Sequence, residues 1–383
     1  MFRILKKLSP FFILVLILSS IYLFFKRDEY LKDSIKLVQF APLSGIDKDI
    51  AKEFNKGIRA YFEEVNRNGG IKGRKIEFIS IDDKGRSDIA LFKAEELKKD
   101  KEPFAFFATI SPCTSKRILE AESDRSHPLL FPYCSLKSFD KFKNYFTILQ
   151  NSESELKALV EYLKESEIKR VGIFYEEDYC FREMVERLKT LLKNTHIKIV
   201  VISSYPKNTL LVHKAYEEIS KKSPKALFIL SLYKGALKFL SKAKEDINFA
   251  NTTFLAPSCI GMDALAKNAP LNIDLITATS IFPLRANQEI FKEYRSLMNK
   301  FYPDSELGFD SFKGYLFAKI LCMGMEVSPY QLSFNTLLNS LKKIPYIMYN
   351  KEFLVKFISN DNKLNKIYLL RLKDKKFIPL QEE

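Results

Sequence analysis

Tryptophan is absent from the chain, histidine occurs three times and glycine twelve times in 383 residues. Twelve glycines in 383 residues is about 3 %, against a usual ~7 %, which excludes a fold built on several glycine-rich phosphate loops. The histidines are scattered: His127 stands before Pro128, His196 before an apolar run and His213 in a helical pattern. No H-E-x-x-H, G-x-S-x-G, G-x-x-x-x-G-K-[ST] or G-x-G-x-x-G occurs, so signatures of metal hydrolysis, serine hydrolysis and nucleotide binding are missing. Ala256-Pro257-Ser258-Cys259-Ile260-Gly261 lacks the first glycine of a nucleophile elbow, and no histidine is placed to activate Ser258. Asp82-Asp83 reads as an acidic turn that ends a strand rather than as a catalytic pair. Neither an enzyme nor a cofactor is expected.

Five cysteines, Cys113, Cys134, Cys180, Cys259 and Cys322, lie far apart, with no C-x-x-C and no Cys/His spacing that fits zinc. The odd count leaves at least one thiol free, and a disulfide-built scaffold is not expected. Lys+Arg total 62 against 47 Asp+Glu, a net charge of +15. The lysines are spread over polar helix faces and turns, with no basic block interleaved with aromatics, so nucleic acid is not an expected partner.

The start of the chain is basic, Met1-Phe2-Arg3-Ile4-Leu5-Lys6-Lys7, and an apolar run from Phe11 to Phe25 follows. A basic segment before an apolar one is an export signature. Neither an A-x-A-like cleavage site nor an L-x-x-C box is present. Residues 1–30 are therefore read as a signal or membrane anchor, the apolar part being 8–25. Everything after Tyr30 is expected in the periplasm or at the cell exterior.

From Ile35 onward strand-like and helix-like stretches alternate. Ile35–Phe40, Lys75–Ile81, Phe104–Ala108 and Leu129–Phe131 read as strands, with helices between them that include Ser115–Ser126. The pattern restarts at Ser152 and Glu155, a capping-box signature, and runs through strands at Val171–Tyr175, Ile197–Ser203, Ala226–Ser231, Thr253–Ala256 and Ile276–Ile281. Helices are expected around Tyr294 and Leu316 and over Pro329–Lys343, and a closing hairpin over Phe353–Ile358 and Ile367–Leu372. Repeated strand–helix units imply an α/β fold of parallel sheets, and the strand count is too high for one comfortable sheet. Two doubly wound lobes follow.

In such sheets a ligand sits beyond the carboxyl ends of the strands. The loops there are rich in hydroxyls and tyrosines: Thr109 to Ser115, Pro132-Tyr133-Cys134-Ser135, Glu176-Glu177-Asp178-Tyr179, Leu232-Tyr233 and Pro257-Ser258-Cys259. Hydroxyls beside free N–H groups at helix starts form a donor set for a carboxylate or carbonyl oxygen. Cys113, Cys134, Cys180 and Cys259 all fall in these loops and can approach one another across a cleft. A thiol-lined pocket for a soft metal or redox partner is one reading; small packing residues in tight loops is the favoured one.

Ala41-Pro42-Leu43-Ser44-Gly45, Gly57-Ile58 through Val65-Asn66-Arg67-Asn68-Gly69-Gly70-Ile71-Lys72-Gly73-Arg74, and Ile81-Asp82-Asp83 resemble the type I periplasmic binding proteins of the Leu/Ile/Val-binding family. Leu130-Phe131-Pro132-Tyr133 and Asp178-Tyr179-Cys180-Phe181-Arg182-Glu183 are similar to the amide- and urea-binding branch. The resemblance runs from about Ile35 to Met323. It implies two lobes joined by three crossovers, residues 35–149 plus 282–345 and residues 150–281 plus 346–383, closing on a small polar solute. Carried over by position, Ser111, Tyr133 and Ser135 face the ligand from the first lobe, and Tyr179, Tyr233 and Ser258 from the second. Amino-acid binders of the family usually carry an acid where Ser258 falls, which leaves Glu177 or Asp178 to pair with an ammonium group. The early cysteine pair of some relatives is lost, since Gly85 occupies one place. The function implied is a receptor for an ABC importer, delivering an amino-acid derivative, amide or urea-like solute to a membrane permease. The alternative is a membrane-tethered sensor or interaction protein on the same fold.

Overall fold

The computed structural model describes residues 34–100, 103–122, 127–283, 289–343, 347–348, 354–355 and 366–380. The first strand, β1 (Ile35–Ala41), pairs in parallel with β2 (Ile76–Asp82) and β3 (Ala105–Phe107); β4 (Leu129–Leu130) and β5 (Tyr145–Phe146) complete a sheet of order β2-β1-β3-β4-β5. A second sheet holds β6 (Arg170–Glu177), β7 (Lys198–Pro206), β8 (Ala226–Leu230), β9 (Thr253–Pro257), β10 (Leu275–Thr279), β13 (Tyr368–Lys373) and β14 (Lys376–Pro379), in the order β14-β13-β10-β9-β8-β6-β7. Its first five strands are parallel, whereas β13 and β14 add an antiparallel edge. The central strands β8, β9 and β10 are buried along their whole length, as strands covered by helices on both faces must be.

Helices flank both sheets. On the first lie α1 (Lys48–Arg67), α2 (Ser87–Asp100) and α3 (Pro112–Ala121). On the second lie α4 (Ser152–Glu165), α5 (Tyr179–Leu192), α6 (His213–Ser220), α7 (Tyr233–Ala243) and α8 (Met262–Asn268). Then come α9 (Glu289–Phe301), α10 (Phe309–Val327) and α11 (Phe334–Lys343). Helix α1 buries Phe54, Ile58 and Phe62 on one face, and α10 returns against it. The crossing is close because both helices carry glycine there. A Cβ on Gly57 would lie 1.8 Å from the Ser311 carbonyl, and one on Gly314 2.2 Å from the Phe54 carbonyl. Phe54 packs edge-on against Tyr133 and Phe317, with ring centroids 5.1 and 5.8 Å away, which ties this helix pair to the ends of the first sheet.

Three sequence expectations are corrected. The helix after β3 spans Pro112–Ala121 rather than Ser115–Ser126: Ser111 accepts a hydrogen bond from Thr114 N, so Pro112 takes the first helical position, where its missing N–H costs nothing. The capping box at Ser152 and Glu155 does not form. Asn151 caps α4 by accepting from Ser154 N, and Glu155 points to another loop. The closing hairpin is also shifted. β13 pairs with β14 and β10, while β12 (Leu354–Val355) pairs with β11 (Ile347–Met348). The segment 1–30 lies outside the described residues; among those described, no helix is long and apolar enough to cross a membrane.

Candidate functional site

The carboxyl ends of the parallel strands of the two sheets face each other, and the loops that follow them meet. Between them lies a small cavity of about 20 Å³, lined from the first lobe by Pro42, Ser44, Asp47, Gly85 and Ser111 and from the second by Glu176, Asp178, Phe181, Lys207 and Asn208. Its chemistry is acidic at the centre. Asp47 and Glu176 are both buried, at 5 and 3 % exposure. Burial, reinforced by the neighbouring Glu176 charge, pushes the Asp47 carboxyl up to about 7. Burial also raises Glu176. Both accept from backbone of the second lobe: Lys234 N donates to Asp47 at 3.2 Å and Asn208 N to Glu176 at 3.1 Å, and Glu176 also accepts from the Leu232 backbone. Asp178 caps α5 by accepting from Cys180 N at 2.9 Å, and it is ion-paired with Lys207. This is an acceptor-rich pocket with two lysines, Lys84 and Lys207, in its lining, and its carboxyls can accept from N–H groups.

The six residues expected to grip a ligand are distributed unevenly around this cavity. Ser111 lines it, though its side chain already accepts from Thr114 N. Tyr133 is fully buried; its hydroxyl donates to Asp310 at 2.5 Å and its ring lies 3.8 Å from the Lys313 ammonium. Ser135 bonds to the Tyr145 hydroxyl at 2.7 Å. Tyr179 is 40 % exposed and reaches the Cys113 carbonyl at 3.3 Å. The Tyr233 hydroxyl donates to Asp49. Ser258 donates from both N and Oγ to Glu155, at 2.9 and 2.8 Å. Five of the six thus turn their hydroxyls to protein partners away from the cavity lining, and only Ser111 borders it. Of the acids, Glu177 pairs with Arg182, whereas its neighbour Glu176 faces the cavity. Alternation along β6 decides this, because successive side chains point to opposite faces.

Behind the cavity the lobes touch through a charged knot. Asp263, at the start of α8, accepts from Phe309 N and Asp310 N at 2.7 and 2.8 Å, and Asp310 accepts from Asp263 N at 2.8 Å. Burial and mutual repulsion drive the Asp263 carboxyl well above the usual range. Lys313, fully buried beside Asp310 and Glu155, is pulled down to about 8 by desolvation.

The cysteines form two pairs among the described residues. Cys113 is bonded to Cys180 and Cys134 to Cys259, and Cys322 is free and buried. This corrects the expectation that the chain carries no disulfide framework and the reading of its loop cysteines as thiols or simple packers. They do approach across the cleft, but as bonded partners.

Two α/β lobes meeting at the carboxyl ends of parallel strands define the bilobal binding-protein class. The family model for periplasmic binding proteins matches residues 34–376, and the chain belongs to that family. A Leu/Ile/Val-binding protein homolog 7 from Brucella suis biovar 1 (strain 1330) is 24 % identical over 226 residues, which is 55 % of this chain and 55 % of that protein. The chain thus matches about half the length of this curated relative. A substrate-binding periplasmic protein from Ralstonia solanacearum has the same fold, with a TM-score of 0.82 and 21 % identity over 90 % of this chain and 99 % of that one. A branched-chain amino acid ABC transporter protein from Thermus thermophilus, solved with bound valine, gives a TM-score of 0.79 at 14 % identity over 92 % and 96 %.

Proposed function

We propose that the protein is an extracytoplasmic solute receptor of an ABC-type importer. It takes a small polar solute, such as an amino-acid derivative, an amide or a urea-like compound, between its lobes and presents it to a membrane permease. The observation that carries this reading is the pairing of Asp47 on one lobe with Glu176 on the other around a single cavity. Two buried carboxyls from opposite lobes line the same space, and a guest that supplies N–H groups to both is held by both lobes at once. Such a guest is complete as a ligand only when the lobes are together, which couples binding to closure. The lobes run over residues 35–149 plus 282–345 and 150–281 plus 346–383. Tyr133, Ser135, Tyr179, Tyr233 and Ser258 act as supports of the closed interface, and Ser111 as a ligand contact. The alternative, a membrane-tethered sensor, draws on the apolar stretch 8–25 alone.

A thermal-shift screen of amino acids, amides, urea and guanidino compounds on the secreted portion tests it. A ligand that binds only the native state raises the melting temperature. Asp47→Asn and Glu176→Gln are expected each to weaken the response at least about tenfold in ligand concentration, the worth of one charge-assisted hydrogen bond. No shift from any compound class with the disulfides either formed or reduced, or an undiminished shift in both variants, overturns the assignment of this cavity.

A further inference from the structure

Both disulfides join one lobe to the other. Cys113 lies at the start of α3, after β3 of the first sheet, and Cys180 at the start of α5, after β6 of the second. Cys134 follows β4 of the first sheet, and Cys259 sits in the 3₁₀ turn Ser258–Ile260 after β9 of the second. The Cα atoms are 5.6 and 5.4 Å apart, within the span a disulfide bridges without backbone movement. All four cysteines are at most 3 % exposed. The noncovalent contacts at the same mouth are ordinary ones: Lys116 to Glu183 at 3.0 Å, Ser138 Oγ to Glu183 at 2.8 Å, and Asn208 Nδ2 to the Gly85 carbonyl at 3.3 Å. Such contacts break and re-form as lobes breathe, but a disulfide holds its Cα atoms within about 7 Å of each other. Opening at a hinge requires facing strand ends to separate by more than that. Bonds at two different strand ends leave at most a rotation about the line that joins them, which does not part these strand ends.

We propose that these bonds form a redox latch on the inter-lobe cleft. With both formed, the cleft is closed and passes no solute; with both reduced, the lobes part. Each bond forms as two cysteine thiols lose two protons and two electrons to a disulfide-bearing oxidant, which leaves as a dithiol. It breaks as a dithiol reductant supplies two electrons and two protons to the two sulfurs and leaves as a disulfide. The effect on solute exchange rests on the receptor reading above; the latch itself does not.

Peptide mapping of the unreduced, alkylated chain from an oxidising compartment is expected to find Cys113 with Cys180, Cys134 with Cys259, and one free thiol at Cys322. Other pairings, or free thiols at the four cleft positions, overturn the proposal. Amide hydrogen exchange at residues 109–115 and 231–236 then reads opening without any ligand. It is expected to quicken by roughly tenfold or more on reduction with dithiothreitol, and in the Cys113→Ser/Cys134→Ser variant under oxidising conditions. Equal exchange in oxidised, reduced and variant protein overturns the latch. In the solute screen, a shift seen only after reduction supports both readings, and an equal shift in both redox states overturns the latch. If mapping and exchange behave as expected and no solute shifts either state, the latch stands and the receptor reading fails.

Discussion

Glu155 leaves the start of its own helix to hold both polar atoms of Ser258, accepting from the backbone N at 2.9 Å and from Oγ at 2.8 Å. The contact replaces a capping box with a bond to a loop 103 residues away. It also places a buried carboxyl, pushed up by desolvation to about 7, near the buried Lys313.

Glu155→Ala leaves two buried donors unpaired and an ammonium less compensated. The expected cost is about 3–5 kcal/mol, read as a lower urea midpoint with an unchanged m-value. Glu155→Gln keeps the shape and an acceptor oxygen and is expected to cost less than half of that.

Tyr133→Phe removes only the hydroxyl that donates to Asp310, and about 1–2 kcal/mol of stability is expected to go with it. Tyr133→Ala empties a fully buried ring site between Phe54 and Lys313 and is expected to cost about 3–5 kcal/mol. A Tyr133→Ala protein as stable as the parent by chemical denaturation contradicts this packing role.

Gly57→Ala forces a methyl carbon against the Ser311 carbonyl across the crossing of α1 and α10. Backbone cannot yield as a side chain does, so a loss of about 2–3 kcal/mol or failure to fold is expected, checked by thermal melting. Gly69→Ala meets no atom within 4 Å but sits at a positive φ of 99°, and is expected to cost about 1 kcal/mol from strain alone.

Stability should vary with pH in a particular sense. Asp47, from 3.8 to about 7, Asp83, from 3.8 to about 6, and Glu155, from 4.5 to about 7, are all raised, mainly by burial. Groups raised on folding favour the native state most below their unfolded values, and that advantage is lost as pH climbs through the folded ones. Lys313, lowered from 10.5 to about 8, acts in the opposite direction: its contribution is present above pH 10.5 and lost as pH falls through 8. The melting temperature of the oxidised protein is therefore expected to fall from pH 4 to 7 and to recover above pH 8. Asp47→Asn should flatten the acidic limb, and a limb unchanged in that variant excludes Asp47 as a source.

Much of the architecture is readable from apolar runs. β1, β2 and β6 to β10 fall within a few residues of their expected positions; the buried ones, β1 and β8 to β10 above all, are continuous apolar stretches bounded by turns, while the edge strands β2 and β7 are half-exposed runs rich in isoleucine and valine. β5 is missed: Tyr145–Phe146 has two residues and no pattern of its own. The cavity is harder to read. Tyr133 and Ser258 look like ligand contacts as hydroxyl-bearing loop residues, yet Asp310 and Glu155, distant in sequence, take up their hydrogen bonds. Lys207 comes from a strand end with no motif, and only folding brings it to Asp178. The disulfides depend on pairings across 67 and 125 residues, which spacing alone cannot specify.

The reciprocal grip of Asp263 and Asp310 also bears on how the two halves are held. Two helix starts, one from each lobe, stopper one another with their own carboxylates. The positive poles that could otherwise welcome an anion are spoken for. Parting the two sheets at this point would uncover both acids and both helix starts together.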